Sequence, residues 1–572
     1  MSRPTKVFLG TGAAALLYAL WSAWRGSWVS DDAFISFRYA ENLVRGLGLV
    51  YNPGERVEGY SNFLWTLWTA LGIGWGADVE RWALGSSIAC YLGALALLVW
   101  NSWTVRRDSP GLAPWIPVAA LLGALHPDWQ IFATGGLETS LFALEITAIY
   151  VVLTRSDVGP GRAATTGLLL AGASMTRPDG LMLAPTVVLY LLLTGTRRPR
   201  TLLALAAAFL VIWAPYTAWR VSYYGDFFPN TYYAKSAAMA WTSQGATYIG
   251  LYFARYWPLL LGPALVAFAW RRNDADLHPD ERIARARWRR SALLAAMLAT
   301  VYVGFVLRVG GDFMFARFLI PVTPLLLVLL ELGLTHVAVP RARQQWFLAG
   351  VVAAGIAMTP YPFPRDPFGS VRGIVREQNF YPRHAMNRVR REGLALRPFF
   401  SGLPVRVAFL GGEARVVYYA RPQVAIECVT GLTDRQIARQ PLKARGRIGH
   451  EKLASIEYLL GVRRAHFAFP RYAPGALHLD REVPHVEIEM SGVQARVLTW
   501  DPVLLDSLRR RGASIQDFPT ELDGLLAAPS PEHQMLDWFT YDKLRRFYFG
   551  NVHEPEREAL FLQRLRESEQ GK

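Results

Sequence analysis

Two aspartates stand side by side, Asp31-Asp32, in the stretch WVSDDAFISF, just after the first long apolar run of the chain. A carboxylate beside a membrane is costly unless it is solvated, paired or put to use. One such group could accept the proton of a hydroxyl that attacks a sugar carbon. A second could orient the incoming hydroxyl, hold a metal, or raise its neighbour's pKa by like-charge repulsion. Side chains at consecutive positions point apart on a helix or a strand. Asp31 and Asp32 are therefore expected to divide the work, one as base and the other as a binding or structural partner. The plain alternative is a solvated helix end.

Further polar clusters interrupt apolar sequence. Glu55, Arg56 and Glu58 sit in YNPGERVEG, where Asn-Pro-Gly marks a constrained turn; the alternative is a salt-bridged surface turn. His126-Pro127-Asp128 and Gly135-Gly136-Leu137-Glu138 follow one apolar run, and Arg177-Pro178-Asp179 divides another. Arg177 and Asp179 must pair or face a water-filled cavity. Asp226, Tyr232 and Lys235 lie in YYGDFFPNTYYAK, whose aromatics and carboxylate suit a sugar ring as well as an interfacial belt. Asp312 and Arg317 lie in GGDFMFAR, just after Arg308. Lys235, Arg308 and Arg317 are candidates to bind a phosphate, the arginines through their bidentate fork. Each could equally be an interfacial cation with its stem along apolar surface.

The elements that must position these groups are membrane helices. Of the 572 residues 52% are hydrophobic and 19% charged, too apolar a balance for an ordinary soluble protein. Apolar runs near 20 residues mark about eleven spans: 7–24, 83–103, 114–131, 137–153, 164–178, 181–195, 202–219, 250–270, 291–307, 318–338 and 345–361. The first ends in Trp-Ser-Ala-Trp-Arg, not in a small-x-small cleavage site, and reads as an uncleaved helix. Residues 60–76 are read as an amphipathic juxtamembrane helix on the outer surface, with Trp65, Trp68 and Trp75 at the interface. On that choice the loops 1–6, 104–113, 154–163, 196–201, 271–290 and 339–344 hold 18 Lys/Arg against 6 Asp/Glu. This bias puts them and the N-terminus in the cytoplasm, and the clusters above on the outer face.

The net charge of +16 invites a nucleic-acid reading, but the basic residues fall largely in those loops, so no nucleic-acid partner is expected. After TPYPFPRDPF the chain turns more polar, and short β-type runs (404–410, 485–490) alternate with helical stretches. Residues 1–361 are thus expected to form the polytopic catalytic part. Residues 362–572 are expected to form an α/β or α+β extracytoplasmic domain. Cys90 and Cys428 make no disulfide framework and no zinc site. Walker, dinucleotide, HExxH and nucleophile-elbow patterns are missing, and no spacing of ligands marks a metal. The cofactor stays open, with a divalent cation among the possibilities. Without a nucleotide site, a lipid-linked donor presented outside fits better than a nucleotide sugar.

The first helix, the Asp-Asp pair, the surface helix and the many spans together resemble the GT-C superfamily of membrane glycosyltransferases, which use polyprenyl-phosphate sugars. More closely, Ser30-Asp31-Asp32, the helix to Arg45-Gly46, and VYNPGERVE (50–58) are similar to the first loop of the mycobacterial arabinofuranosyltransferase AftB and its ZomB-like relatives. Gly431-Leu432-Thr433-Asp434 and GRIGHEK (446–452) are of the same kind, while Gly59-Tyr60-Ser61-Asn62 departs from the mycobacterial pattern. The resemblance implies a GT-C membrane domain with a periplasmic C-terminal domain in a bacterial inner membrane. It implies transfer of a pentofuranose, best read as arabinofuranose, from a decaprenyl-phosphate donor to a cell-envelope polysaccharide or glycolipid.

Direct attack would invert the anomeric carbon and a double displacement would retain it; the sequence leaves both open. Two other functions compete. A non-catalytic assembly or flagellar-motor-associated factor would keep the fold and tolerate loss of both aspartates. A transporter would show broken or charged segments at mid-membrane in two matching halves.

Overall fold

Long apolar segments have no choice but to satisfy their own backbone, and they do so here as helices. The computed structural model describes residues 3–108, 115–154, 158–196, 198–271, 278–337, 342–470, 473–527 and 541–570. In chain order the helices of the first part are α1 (Arg3–Arg25), α2 (Ala33–Val44), α3 (Phe63–Gly74), α4 (Val79–Asp108), α5 (Val118–Ala124), α6 (Pro127–Phe132), α7 (Thr139–Thr154) and α8 (Pro160–Thr176). They continue as α9 (Leu183–Leu193), α10 (Pro199–Tyr224), α11 (Asn230–Ala234), α12 (Thr242–Arg255), α13 (Leu261–Trp270), α14 (Pro279–Val309), α15 (Thr323–Val337) and α16 (Ala342–Met358). The protein is membrane-embedded. Among the described residues, α1, α4, α10 and α14 are single helices long and apolar enough to cross a bilayer.

Not every apolar run is one unbroken helix. The 250–270 run is two helices, α12 and α13, bent by 98° at a short break that contains Pro258. The 114–131 run breaks at His126, which caps α6 by accepting a hydrogen bond from Trp129 N. The 164–195 stretch divides at Arg177, as its sequence led one to expect, where Pro178 cannot continue the helix. Hydropathy measures how apolar a run is; it does not register a proline that removes a hydrogen bond inside it. The helix α3 also differs from expectation. It is apolar all round, with Trp65 and Ala70 buried and Trp68 and Leu71 exposed, so it is not amphipathic.

After α17 (Arg383–Phe400) the chain builds a six-stranded mixed sheet. Its strands are β1 (Arg406–Phe409), β2 (Val424–Glu427), β3 (Phe467–Phe469), β4 (Glu487–Met490), β5 (Val493–Val497) and β6 (Ser514–Ile515), in the order β2-β1-β3-β5-β4-β6. The crossover from β1 to its parallel neighbour β2 carries the short helix α18 (Ala414–Ala420). The turn Ser491-Gly492 has positive φ at both residues, the two-residue hairpin geometry that matches strand twist, and it joins β4 to β5. β1 and β4 fall within the two runs read as β-type from sequence.

The loop between α1 and α3 is wedged between the helical part and this sheet. Arg38 donates to Pro422 O (2.8 Å), and Asn230, at the start of α11, donates to Gly431 O (2.9 Å) and Leu432 O (2.8 Å). Asn52 seals the edge strand β2: its Oδ1 accepts from Ala425 N (2.8 Å) and its Nδ2 donates to Ala425 O (3.0 Å). The approach is close enough that a Cβ on Gly59 would lie 2.6 Å from Leu432 O. Asn52→Ala leaves the outward peptide groups of Ala425 unsatisfied and is expected to cost about 1–3 kcal/mol. Scanning calorimetry of the solubilised protein should show the corresponding fall in melting temperature.

Candidate active site

Four loops bring ionisable side chains to one place. Arg317 follows the turn Gly310-Gly311-Asp312, whose two glycines have φ of +92° and +80°. A Cβ on Gly311 would lie 2.4 Å from the Tyr248 ring, so only glycine lets the chain turn here and aim Asp312 inward. Arg317 Nη1 lies 3.3 Å from Asp312 Oδ2 and 3.9 Å from Asp32 Oδ2, and its Nη2 lies 3.3 Å from Glu138 Oε1. Glu138 also accepts from Arg177 Nη1 (3.0 Å) and from Asn62 Nδ2 (3.1 Å). Arg177 Nε reaches Asp179 at 3.1 Å, and Tyr302 OH donates to the same carboxylate at 2.6 Å.

The network is dry except at one end. Glu138, Arg177, Asp179, Asp312 and Arg317 are all buried, whereas the Asp32 side chain keeps 37% of its surface. Burial would raise the Glu138 pKa, but the Arg317 and Arg177 guanidiniums outweigh it and hold the carboxyl below its usual range. Arg317 Nε is buried and has no hydrogen-bond partner within the described residues.

Asp31 and Asp32 do point apart. The Asp31 carboxylate is 4% exposed and turned to the sheet domain, where it accepts from Ala414 N (3.0 Å) and Arg415 N (3.0 Å). Its burial pushes its pKa up to about 6, against the pull of those two amides.

The sheet domain contributes groups that were not singled out as site residues from sequence. Glu377 pairs with Arg447 (3.2 Å) and interacts electrostatically with Asp32 and Asp312, and His450 interacts with Asp32 as well. Arg447 lies over the Phe313 ring at 4.4 Å, and the His450 ring meets Phe313 edge-on at 5.0 Å. His450 Nδ1 faces Ile448 O (3.1 Å), which can only accept, so the proton sits on Nδ1 and Nε2 is left as an acceptor. Burial and then Arg447 lower the His450 pKa and favour that neutral ring. Lys235 interacts electrostatically with His450, and its stem passes within 3.6 Å of a Cβ placed on Gly449. Its ammonium makes no ion pair among the described residues. Arg447 and His450 lie in the GRIGHEK motif; Glu377 has no local signal, since nothing near it in sequence is distinctive.

The remaining candidates are engaged elsewhere. Glu55 pairs with Arg463 (2.7 Å), Arg56 lies over the Tyr223 ring (4.7 Å) and Glu58 takes both arms of a bond to Arg220 Nε (2.8 and 2.9 Å). They fasten the first loop. His126 is a fully buried cap stacked on Tyr256 at 3.9 Å. Asp226 accepts from Tyr233 OH (2.9 Å) and pairs with Arg439, and Tyr232 stacks on Phe228 at 4.3 Å. Arg308 is exposed at the end of α14. Among the described residues no cluster of three or more His, Cys, Asp or Glu is set to hold a metal ion.

No protein-family model matches the chain. It is 29% identical over 416 residues, 66% of its length, to a terminal β-(1→2)-arabinofuranosyltransferase of Mycobacterium tuberculosis. A protein of the same name from Corynebacterium glutamicum is 30% identical over 368 residues, 59% of the chain. The chain spans 65% and 53% of those two relatives' own lengths. Among solved structures, apo ArnT from Cupriavidus metallidurans superposes with a TM-score of 0.51 at 15% identity, covering 85% of this chain and 96% of that one. The two proteins share a fold. The resemblance read from the first loop is thus matched by sequence similarity to the arabinofuranosyltransferases and by shape. Within that fold, the Asp32 loop follows the first helix and the ion network closes behind it.

Arg317→Met strands Asp312 in a buried site and leaves Glu138 with Arg177 as its one cation. A loss of roughly 3–5 kcal/mol is expected, with partial recovery in Arg317→Lys. Chemical denaturation of the two variants in detergent checks it.

The pH dependence has a definite sign. Burial pushes Glu377 up to about 7 from 4.5, against the pull of Arg447, so folding takes up a proton between those values. That stability is present below about pH 4.5 and is lost as pH rises through about 7. About 2 kcal/mol should go between pH 5 and pH 7. Melting curves across that range should flatten in Glu377→Gln.

Proposed function

We propose that the protein transfers a sugar from a polyprenyl-phosphate donor to a cell-envelope glycan. Arabinofuranose is the best reading of the sugar, because the curated relatives carry arabinofuranosyltransferase in their names. Residues 1–361 serve as the catalytic part in the bacterial inner membrane, with the N-terminus in the cytoplasm. Residues 362–572 sit on the outer face, over the site.

One observation carries the reading. In a GT-C fold, the one half-exposed carboxylate of the Arg317 network is Asp32, at the end of the loop that follows the first helix. A carboxylate in that position can take the proton of an acceptor hydroxyl. As the hydroxyl oxygen bonds to the anomeric carbon, the bond from that carbon to the phosphate oxygen breaks. The polyprenyl phosphate leaves with the electron pair, and the proton passes to Asp32. Positive charge builds on the sugar ring in this transition state, and Asp32, Asp312 and Glu138 supply the negative field that offsets it. On the other side Lys235, Arg447 and Arg317 Nε offer donors to the departing phosphate. Asp31 is a positioning residue: it clamps the loop to α18 and holds its neighbour in place.

Asp32→Asn is expected to reduce transfer by a factor of about 10²–10⁴ with an unchanged melting temperature. Asp31→Asn is expected to lower the melting temperature first. Membranes or proteoliposomes supplied with polyprenyl-phosphate arabinose and a glycan acceptor give the rates. Undiminished transfer by Asp32→Asn sinks the mechanism.

A further inference from the structure

Beside the Asp31 clamp lies a cavity of about 280 Å³ that neither Lys235 nor His450 lines. Its walls come from three places: the end of the α1 connection (Trp28), the start of α4 (Asp78, Glu80 and Arg81) and α17 (Asn387 and Arg390). Arg415 and Tyr381 also line it.

These last two tie the cavity to the reacting centre. Arg415 N is one of the two amides that hold Asp31. Tyr381 lines the cavity and is near enough to Asp31, Glu377 and Asp32 to interact electrostatically with all three. The geometry points to this cavity as the acceptor subsite, which takes the sugar residues that precede the attacking hydroxyl. This inference rests on the transferase reading above.

The chemistry of the walls selects the ligand. Trp28 and Tyr381 are stacked, with ring centroids 5.9 Å apart, and offer an aromatic wall to the apolar face of a sugar. Asp78 is paired with Arg390 (2.7 Å), and Glu80 with Arg415 and Tyr419. Of the four arginines that line the cavity, Arg383 is committed to the carbonyls of Trp24 and Arg25, which leaves only Arg81, at the mouth, beyond these two pairs, so the walls suit a neutral polyol. The site still has donors to give. Arg415 Nε is buried with no hydrogen-bond partner within the described residues, and the Arg415 side chain is only 4% exposed. At the mouth, Asn387 and Arg81 are exposed. The volume is at the small end for ligand sites, which run from about 300 Å³ upward. It accommodates a short terminal piece of a glycan and not a polymer. Lys235 and Arg447, the cations assigned above to the donor phosphate, do not line this cavity.

The test uses the full-length protein in detergent and methyl arabinofuranobioside, a neutral disaccharide, titrated calorimetrically. Asn387→Trp fills the mouth, while Gln423→Trp places the same bulk in a different cavity, below Arg421. The disaccharide should bind the wild type and Gln423→Trp alike, and Asn387→Trp about tenfold or more weakly. In turnover, Asn387→Trp should raise the KM for the acceptor by a similar factor and leave the KM for the lipid donor unchanged. Equal binding by all three proteins, or no binding by the wild type, overturns the subsite. A protein that binds the disaccharide through this cavity yet transfers no pentose would refute the transferase reading and leave the subsite standing.

Discussion

The carboxylate of Glu138 holds three separate stretches of chain at once. It accepts from Asn62 in the first loop, Arg177 at the break between α8 and α9, and Arg317 after the Gly310-Gly311 turn. Each partner is itself buried, and each guanidinium is shared with a further carboxylate, Asp179 or Asp312. A buried ion is tolerable only if its counter-charge and hydrogen bonds are complete. The loops therefore cannot drift apart singly, because any one that left would strand a charge in a dry place. The geometry around Asp32 follows from that constraint. The network is a positioning device first, and it leaves one acid free at its wet end.

This division explains which sequence signals were informative. Charged residues beside apolar runs stand out because they are expensive there, and Asp32, Glu138, Arg177, Asp179, Asp312 and Arg317 were all found in that way. The same rule caught His126, Glu55, Glu58 and Asp226, whose partners are local caps and structural ion pairs. Sequence shows that such a group must be paired; it does not show whether the pair serves chemistry or packing. The partners from the sheet domain were harder to see. Asp31 is met by two backbone amides more than 380 positions away. Backbone amides exist at every residue except proline, so no residue type betrays them. Arg447 and His450 were noticed as part of a motif, but nothing local tied them to Asp32.

The membrane helices show a similar limit. The apolar runs are where they were expected and the division at Arg177-Pro178 was legible in the sequence, but two runs are interrupted where no break was expected, at His126 and at Trp257-Pro258. Two of these breaks supply the site or its surroundings. Arg177 reaches Glu138 only because α8 stops there, and His126 turns the chain toward Tyr252 and Tyr256. Irregular backbone at such depth is tolerated where protein surrounds it. The cost to helix continuity is the means by which polar groups enter an otherwise apolar bundle.

Asp31 and Asp32 are one peptide apart, so their Cα atoms are fixed at about 3.8 Å. One is gripped by the sheet domain and the other faces the Arg317 network. A displacement of α18 is thus passed to Asp32 through a linkage with almost no slack. The sheet domain does more than pack against the helical part. It acts as a gauge block, setting the height at which the free carboxylate stands, and whatever seats that domain also calibrates the distance over which a proton would have to travel.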